Sequence, residues 1–319
     1  MIIPATFKPA WWLPGGHLQT LYPTFARHSI CPALQRERLE LVDGDFIDID
    51  WTGNPQGPVV LVLHGLEGSL ESHYTGGILS ALATRGYRPG LVYFRGCSGE
   101  PNRLPRNYHS GDTGDLQTVI RHIRETCPGK PLAIIGYSLG GNVLLKWLGE
   151  QGNRAPVVTA VAVSVPFDLD RVARRLERGV SRIYQNHLLR KLRQSVKTKA
   201  AAQPAPVPIQ ELAALKTFRQ FDDAITAPLH GFRDVDDYYS QSSSRQYLRQ
   251  IETPVLVIHA LDDPFLPPTA VPNDSDLSHA VTLELSPHGG HVGFVSGNIP
   301  LAGYYWLEQR ICEHLQAYL

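Results

Sequence analysis

Four short, almost wholly apolar runs dominate the first half of the chain: PVVLVLHG (58–65), RPGLVYFRG (88–96), KPLAIIGYS (130–138) and PVVTAVAVSVP (156–166). Each has the length of a strand, and each is apolar on both faces, so each needs cover on both sides. The stretches between them have helical character. A helix is expected over about 73–85. In DLQTVIRHI the apolar Leu116, Val119, Ile120 and Ile123 fall at i, i+3, i+4 and i+7, and LGGNVLLKWLGE follows the third run directly. Strand and helix alternate again in TPVLVIHA (253–260), AVTLELSP (280–287) and a last helix over about 303–318. Such alternation predicts an α/β fold with a mostly parallel central sheet and helices on both faces.

Two regions depart from this rhythm. Residues 1–36, rich in Pro, Gly and aromatics, read as a loop-like arm whose Phe7, Trp11, Trp12, Tyr22 and Phe25 pack onto the body. Residues 167–249 are helical throughout. Three helices are expected there, in the segments beginning DLDRVARR, IQELAALK and DVDDYYSQ, and together they predict a cap over one end of the sheet. The core is then 37–166 plus 250–319, opening with a hairpin about Asp43-Gly44 in RERLELVDGDFIDIDWTG.

Composition narrows the function classes. Thirty basic residues balance thirty acidic ones among 319, which argues against nucleic acid as a partner. Cys31, Cys97, Cys127 and Cys312 are scattered with no CxxC pair, and the thirteen histidines do not cluster at metal-ligand spacing. No phosphate loop, dinucleotide glycine fingerprint, HExxH or H-x4-D motif is present, so no cofactor or metal is expected. Three prolines interrupt the first sixteen residues, and no stretch approaches 18 apolar residues. A soluble cytoplasmic protein is expected; nothing in the sequence speaks to oligomeric state.

The third apolar run ends in Gly136-Tyr137-Ser138-Leu139-Gly140, a G-x-S-x-G between strand and helix. A sharp strand-to-helix turn presents the hydroxyl at a helix amino terminus, and glycines are needed where side chains would collide with neighbouring backbone. A serine is a poor nucleophile without a base. Chain order supplies candidates, with Asp262 or Asp263 after one late strand and His288 or His291 after the next; Asp263 and His291 are preferred. The loop after the first run, LHGLEG (63–68), places the Leu66 amide beside that of Leu139 as an oxyanion hole, with His64 bracing the loop.

With these residues in view, the chain resembles the α/β-hydrolase superfamily over nearly its whole length. More narrowly it resembles the YheT-like hydrolases and the related animal α/β-hydrolase-domain lipases and phospholipases. WWLPGGHLQTLYP (11–23), YFRGCSGEPNRLPRNYHSGDTGDL (93–116), GYSLGGN and GGHVGF carry that resemblance. It implies a Ser138, Asp263, His291 triad and hydrolysis of short-chain or lipid-like acyl esters. Pro267, four residues beyond Asp263, matches the spacing in related hydrolases. A thioesterase, an acyltransferase or a non-catalytic acyl-binding protein stand as alternatives.

Three features have two readings each. Arg95, Arg103, Arg106, His109 and Asp112 either bind an anionic head group or form an ion-pair network pinning a long loop. His17 either helps close the pocket or packs. Ten Lys or Arg between 170 and 199, against Asp170 and Glu177, make either a solvated face or a weak membrane-surface contact through the cap.

Overall fold

In a computed structural model, which describes residues 1–27, 32–201 and 203–319, the apolar runs form the middle of a sheet. Its nine strands among the described residues are β1 (Ile2–Pro4), β2 (Gln35–Glu40), β3 (Phe46–Trp51), β4 (Val59–Leu63), β5 (Arg88–Val92), β6 (Leu132–Tyr137), β7 (Thr159–Val163), β8 (Val255–Ala260) and β9 (Val281–Ser286). They lie side by side as β1-β9-β8-β7-β6-β4-β5-β3-β2, parallel from β1 through β5 and antiparallel at β3 and β2. The β2–β3 hairpin turns at Asp43-Gly44, with Glu40 opposite Phe46.

Side chains leave alternate faces of the buried strands into two apolar layers. Val59, Leu61 and Leu63 join Leu116, Ile120, Val143 and Trp147 of α3 (Thr113–Thr126) and α4 (Leu139–Gln151). Val60 and Val62 join Ile78 and Leu82 of α2 (Thr75–Thr84) and Ile311 of α10 (Trp306–Gln316) on the opposite face. From β4 the chain steps outward to β5 and then returns past β4 to β6. The loops after β4 and β6 therefore diverge at one edge-on crevice, above the carboxyl ends of the strands.

A helical segment lies between β7 and β8. It comprises α5 (Leu169–Leu176), α6 (Arg182–Ala200), α7 (Phe218–Phe221), α8 (Ala227–Leu229) and α9 (Val235–Ser242), around its own apolar cluster. No helix among the described residues is long and apolar enough to cross a membrane.

Four expectations fail here. The segment beginning DLDRVARR is not one helix: α5 ends at Leu176, and a 3₁₀ turn (Gly179–Ser181) separates it from α6. The segment beginning IQELAALK is not one helix: a 3₁₀ turn (Ile209–Ala214) precedes α7, a π-helical turn (Asp222–Thr226) and α8. Thr217 starts a new helix with a capping box to Gln220, which wins over continuation. Residues 1–27 are not loop-like throughout. β1 adds parallel to β9, and α1 (Gly15–Ala26) forms despite Gly15, Gly16 and an internal Pro23. Nor do the arm's aromatics all pack inward: Phe7 is buried against Phe294 and Trp306, but Trp11 and Phe25 are exposed. Cys31 lies outside the described residues; Cys97, Cys127 and Cys312 are unpaired among them.

Candidate active site

Ser138 caps α4 with φ 51° and ψ −117°, a left-handed conformation that a non-glycine residue adopts only under constraint. Its neighbours are glycines because backbone fills the space. A Cβ on Gly136 would lie 2.5 Å from the Gly140 carbonyl oxygen, and one on Gly140 would lie 2.6 Å from that of His64. The turn is anchored by the Ser138 amide, which donates to the Val163 carbonyl at the end of β7.

The Ser138 hydroxyl meets His291 Nε2 at 3.0 Å, and His291 Nδ1 meets Asp263 Oδ2 at 2.8 Å. A carboxylate only accepts, so Nδ1 carries the proton and Nε2 is free to take one from the hydroxyl. Asp263 is buried. Burial pushes its carboxyl upward, but the neighbouring His291, His259 and the Phe265 amide prevail and hold it below the ordinary value. It therefore stays charged, the state that favours a transient imidazolium. The two alternatives form a separate pair: Asp262 takes the Gly290 amide at 2.9 Å and meets the exposed His288 at 3.4 Å, and neither touches Ser138.

Three residues not singled out in the sequence hold the imidazole. Thr20 Oγ1 accepts the His291 amide at 2.8 Å, and Ser164 Oγ accepts the next amide, Val292, at 3.0 Å. The Phe265 ring stacks flat on the imidazole, with centroids 3.9 Å apart. The loop itself is strained, with Val292 at φ 56° and Phe294 at φ 45°. It presses so closely on α1 that a Cβ on Gly290 would lie 2.4 Å from the Gly16 carbonyl oxygen. Ser164, at the carboxyl end of β7, has a place that strand order signals. Thr20 has no sequence signal.

The loop after β4 lies against the nucleophile; a Cβ on Gly65 would sit 3.3 Å from Ser138 Cβ. His64 braces it. Its Nε2 accepts the Phe94 amide and its Nδ1 donates to the Gly65 carbonyl, and burial pushes the imidazole down to about 4, so it stays neutral. The Gly65 amide donates to the Tyr74 hydroxyl and that of Glu67 to the Tyr108 hydroxyl, both at 2.8 Å. The Leu66 amide between them has no acceptor among the described residues, and the Leu139 amide, first in α4, has none within its helix. Both residues line the same cavity as Ser138.

That cavity measures about 120 Å³ and runs from Ser138 to the helices between β7 and β8. Its walls are mainly apolar, among them Val165, Leu176, Leu192, Phe218 and Ile225. His109 and His230 also line it; burial pushes them down to about 2 and about 4, so both are neutral. The rest of the 95–112 loop forms ion pairs: Arg95 with Asp43, Asp45 and Asp115, Arg103 with Glu40, and Arg106 with Asp112. These pairs fix the loop, and among the described residues no Lys or Arg lines the cavity. His17 of α1 bonds the Tyr184 hydroxyl of α6 at 3.0 Å. No group of three His, Cys, Asp or Glu side chains among the described residues is arranged to hold a metal ion.

The pattern of the alpha/beta hydrolase fold family matches residues 58–298. Among curated proteins, "Putative esterase YheT" of Escherichia coli (strain K12) is 43% identical over 99% of this chain and 94% of its own. Phospholipase ABHD3 of Homo sapiens is 30% identical over 99% of this chain and 80% of its own. Among solved structures, the Pyrococcus furiosus esterase Pf2001 superimposes with a TM-score of 0.59 at 18% identity, over 90% of this chain and 93% of that one.

Proposed function

The chain belongs to the α/β-hydrolase fold family, and from that premise we propose that it is a serine-dependent hydrolase of carboxylic esters with short-chain or lipid-like acyl groups. The observation that carries the reading is the bonded series Ser138–His291–Asp263 at the floor of an apolar cavity. Ser138 Oγ attacks the ester carbonyl as His291 Nε2 takes its proton. The Leu66 and Leu139 amides receive the charge developing on the carbonyl oxygen. Collapse expels the alcohol, which takes the proton back from His291 and leaves an acyl-enzyme on Ser138. His291 then deprotonates water, which attacks the acyl carbon; collapse breaks the bond to Ser138 Oγ, which takes that proton back from His291, and the acid is released. Asp263 holds the imidazole in the needed tautomer throughout. In this reading residues 37–166 and 250–319 are the catalytic core, 167–249 the cap that walls the acyl site, and 1–36 an arm packed on the core.

The esterase and phospholipase names of the relatives support this class, and the apolar walls suit an acyl chain. The test pairs a fluorophosphonate probe with p-nitrophenyl esters of rising chain length, on the parent and on Ser138→Ala. The parent is expected to label and turn over, the variant to do neither. A Ser138→Ala protein with parental turnover would refute the mechanism.

A further inference from the structure

Helix α1 wears its polarity inside out. Its buried face is Gly16, Gln19, Thr20 and Pro23. The two polar members are fully used: Thr20 holds His291, while Gln19 accepts the Val295 amide and donates to its carbonyl. The outer face carries exposed Leu18 and Phe25 at i and i+7, with Phe25 82% exposed, and between them Tyr22, half-buried against Trp12. Amphipathic helices on soluble domains ordinarily do the reverse.

This stripe is fastened to a second exposed segment. The Tyr22 hydroxyl donates to the Leu301 carbonyl, and Trp11 and Trp12 donate through their indoles to the Asn298 and Gly297 carbonyls. Leu301 sits at φ 63° and is 80% exposed, so a strained backbone presents an apolar side chain to solvent. Trp11, Leu18, Phe25, Ile299, Leu301 and Tyr304 are thus exposed on two segments bonded together. Contiguous exposed apolar surface marks a partner.

Charge identifies the partner. Residues 1–36 and 285–307 contain no Asp or Glu. Residues 178–210 contain none either, and this cap stretch joins α1 through the His17–Tyr184 bond. It exposes Val180 and Ile183 and carries seven Lys or Arg. Exposed indole and aliphatic tips beside a stretch of seven cations with no carboxylate in it match the headgroup zone of an anionic bilayer, and the carboxylates nearest α1, Asp262 against Gly16 and Glu308 on Arg27, are already bonded within the chain.

We propose that the outer stripe of α1, the 297–304 segment and the amino-terminal end of α6 together seat the molecule on an anionic lipid surface. The helix that holds His291 from inside then lies against lipid on its other side. The proposal rests on exposed surface and charge and is independent of the hydrolase reading.

The test is sedimentation with phosphatidylcholine vesicles, with and without phosphatidylglycerol, at low and high salt. It uses Ser138→Ala protein so that lipid is not consumed. Binding is expected only with phosphatidylglycerol, and weaker at high salt. Adding Leu18→Gln, Phe25→Gln and Leu301→Gln together should lower partition about tenfold or more, because the apolar contact is lost. Arg182→Glu should lower it about fivefold or more. All four side chains are exposed, so thermal midpoints should stay at the parent's; if the combined variant unfolds, Arg182→Glu alone decides. No binding at low salt, or variants that bind as the parent does, would overturn the proposal. So would a parent dimer made monomeric by the triple change, which would assign the face to a second copy. Vesicle binding by a parent inert toward esters would remove the hydrolase reading and leave this one standing.

Discussion

Replacing Thr20 by Val keeps the shape of the side chain and removes the oxygen that accepts the His291 amide at 2.8 Å. The hydroxyl also donates to the Gly16 carbonyl at 2.7 Å, one turn back, but that carbonyl keeps its helical bond, so this second loss is minor. The main cost is the orphaned His291 amide in a site where Thr20 is 8% exposed. An unsatisfied buried donor costs about 1–3 kcal/mol. If the loop stays in place, the whole cost falls on folding stability. If the loop shifts to find water, the imidazole leaves Ser138 and the cost falls on the transition state, about 5-fold to about 150-fold in kcat/KM. The Ser164 bond to Val292 and the Phe265 stack resist movement, so the cost should divide between the two. Urea unfolding and p-nitrophenyl butyrate kinetics measure the two shares, and Thr20→Ser, which keeps the oxygen, should restore both. A Thr20→Val protein with parental stability and kcat, or a Thr20→Ser protein no better than Thr20→Val, would refute the assignment of α1 as the support of His291.

Asp263→Asn is expected to lower kcat by about four orders of magnitude, because an amide stabilises the wrong imidazole tautomer. Asp262→Asn, which keeps an oxygen for the Gly290 amide, should stay within a few-fold of the parent; comparable losses in both would undo the choice between them. A pH effect follows from His314, which burial pushes down to about 4 and whose Nε2 meets Thr159 Oγ1 at 2.8 Å. Its folded value lies below its unfolded one, so its contribution is complete above about pH 6.5 and is lost as pH falls toward 4, by about 2 kcal/mol at pH 5. His314→Gln keeps a donor and should flatten the unfolding free energy over that window by this amount, while an unchanged slope would deny that the buried imidazole is neutral.

Legibility followed the physics of each segment. The strands flanking Ser138 were readable because a strand buried on both faces has no polar alternative, as Val59–Leu63 and Leu132–Tyr137 illustrate. The elbow was readable because its glycines answer to backbone contacts under 3 Å. Two choices remained open in the sequence, between Asp262 and Asp263 and between His288 and His291. Adjacent carboxylates differ only in which way the chain points them. Here Asp263 turns inward to His291 and Asp262 outward to His288, a difference settled by the packing of the following loops. Thr20 left no trace, since one hydroxyl accepting one amide has no periodicity and no spacing, whereas Ser164 follows directly on the end of β7, a place strand order marks.

The misreading of residues 15–26 has a single cause with a consequence for function. Periodicity reveals a helix only when water lies outside it and hydrocarbon inside. α1 inverts both conditions: Gln19 and Thr20 are spent on loop amides within, and Leu18 and Phe25 face outward. The inner half of that inversion is satisfied within the chain, since each polar group has its bond. The outer half is not, since burying a Leu or Phe side chain contributes about 1.5–3 kcal/mol that α1 forgoes in water. A helix with its polar face already committed to holding His291 cannot rotate to bury the other. Its apolar face can gain that burial only from something outside the chain.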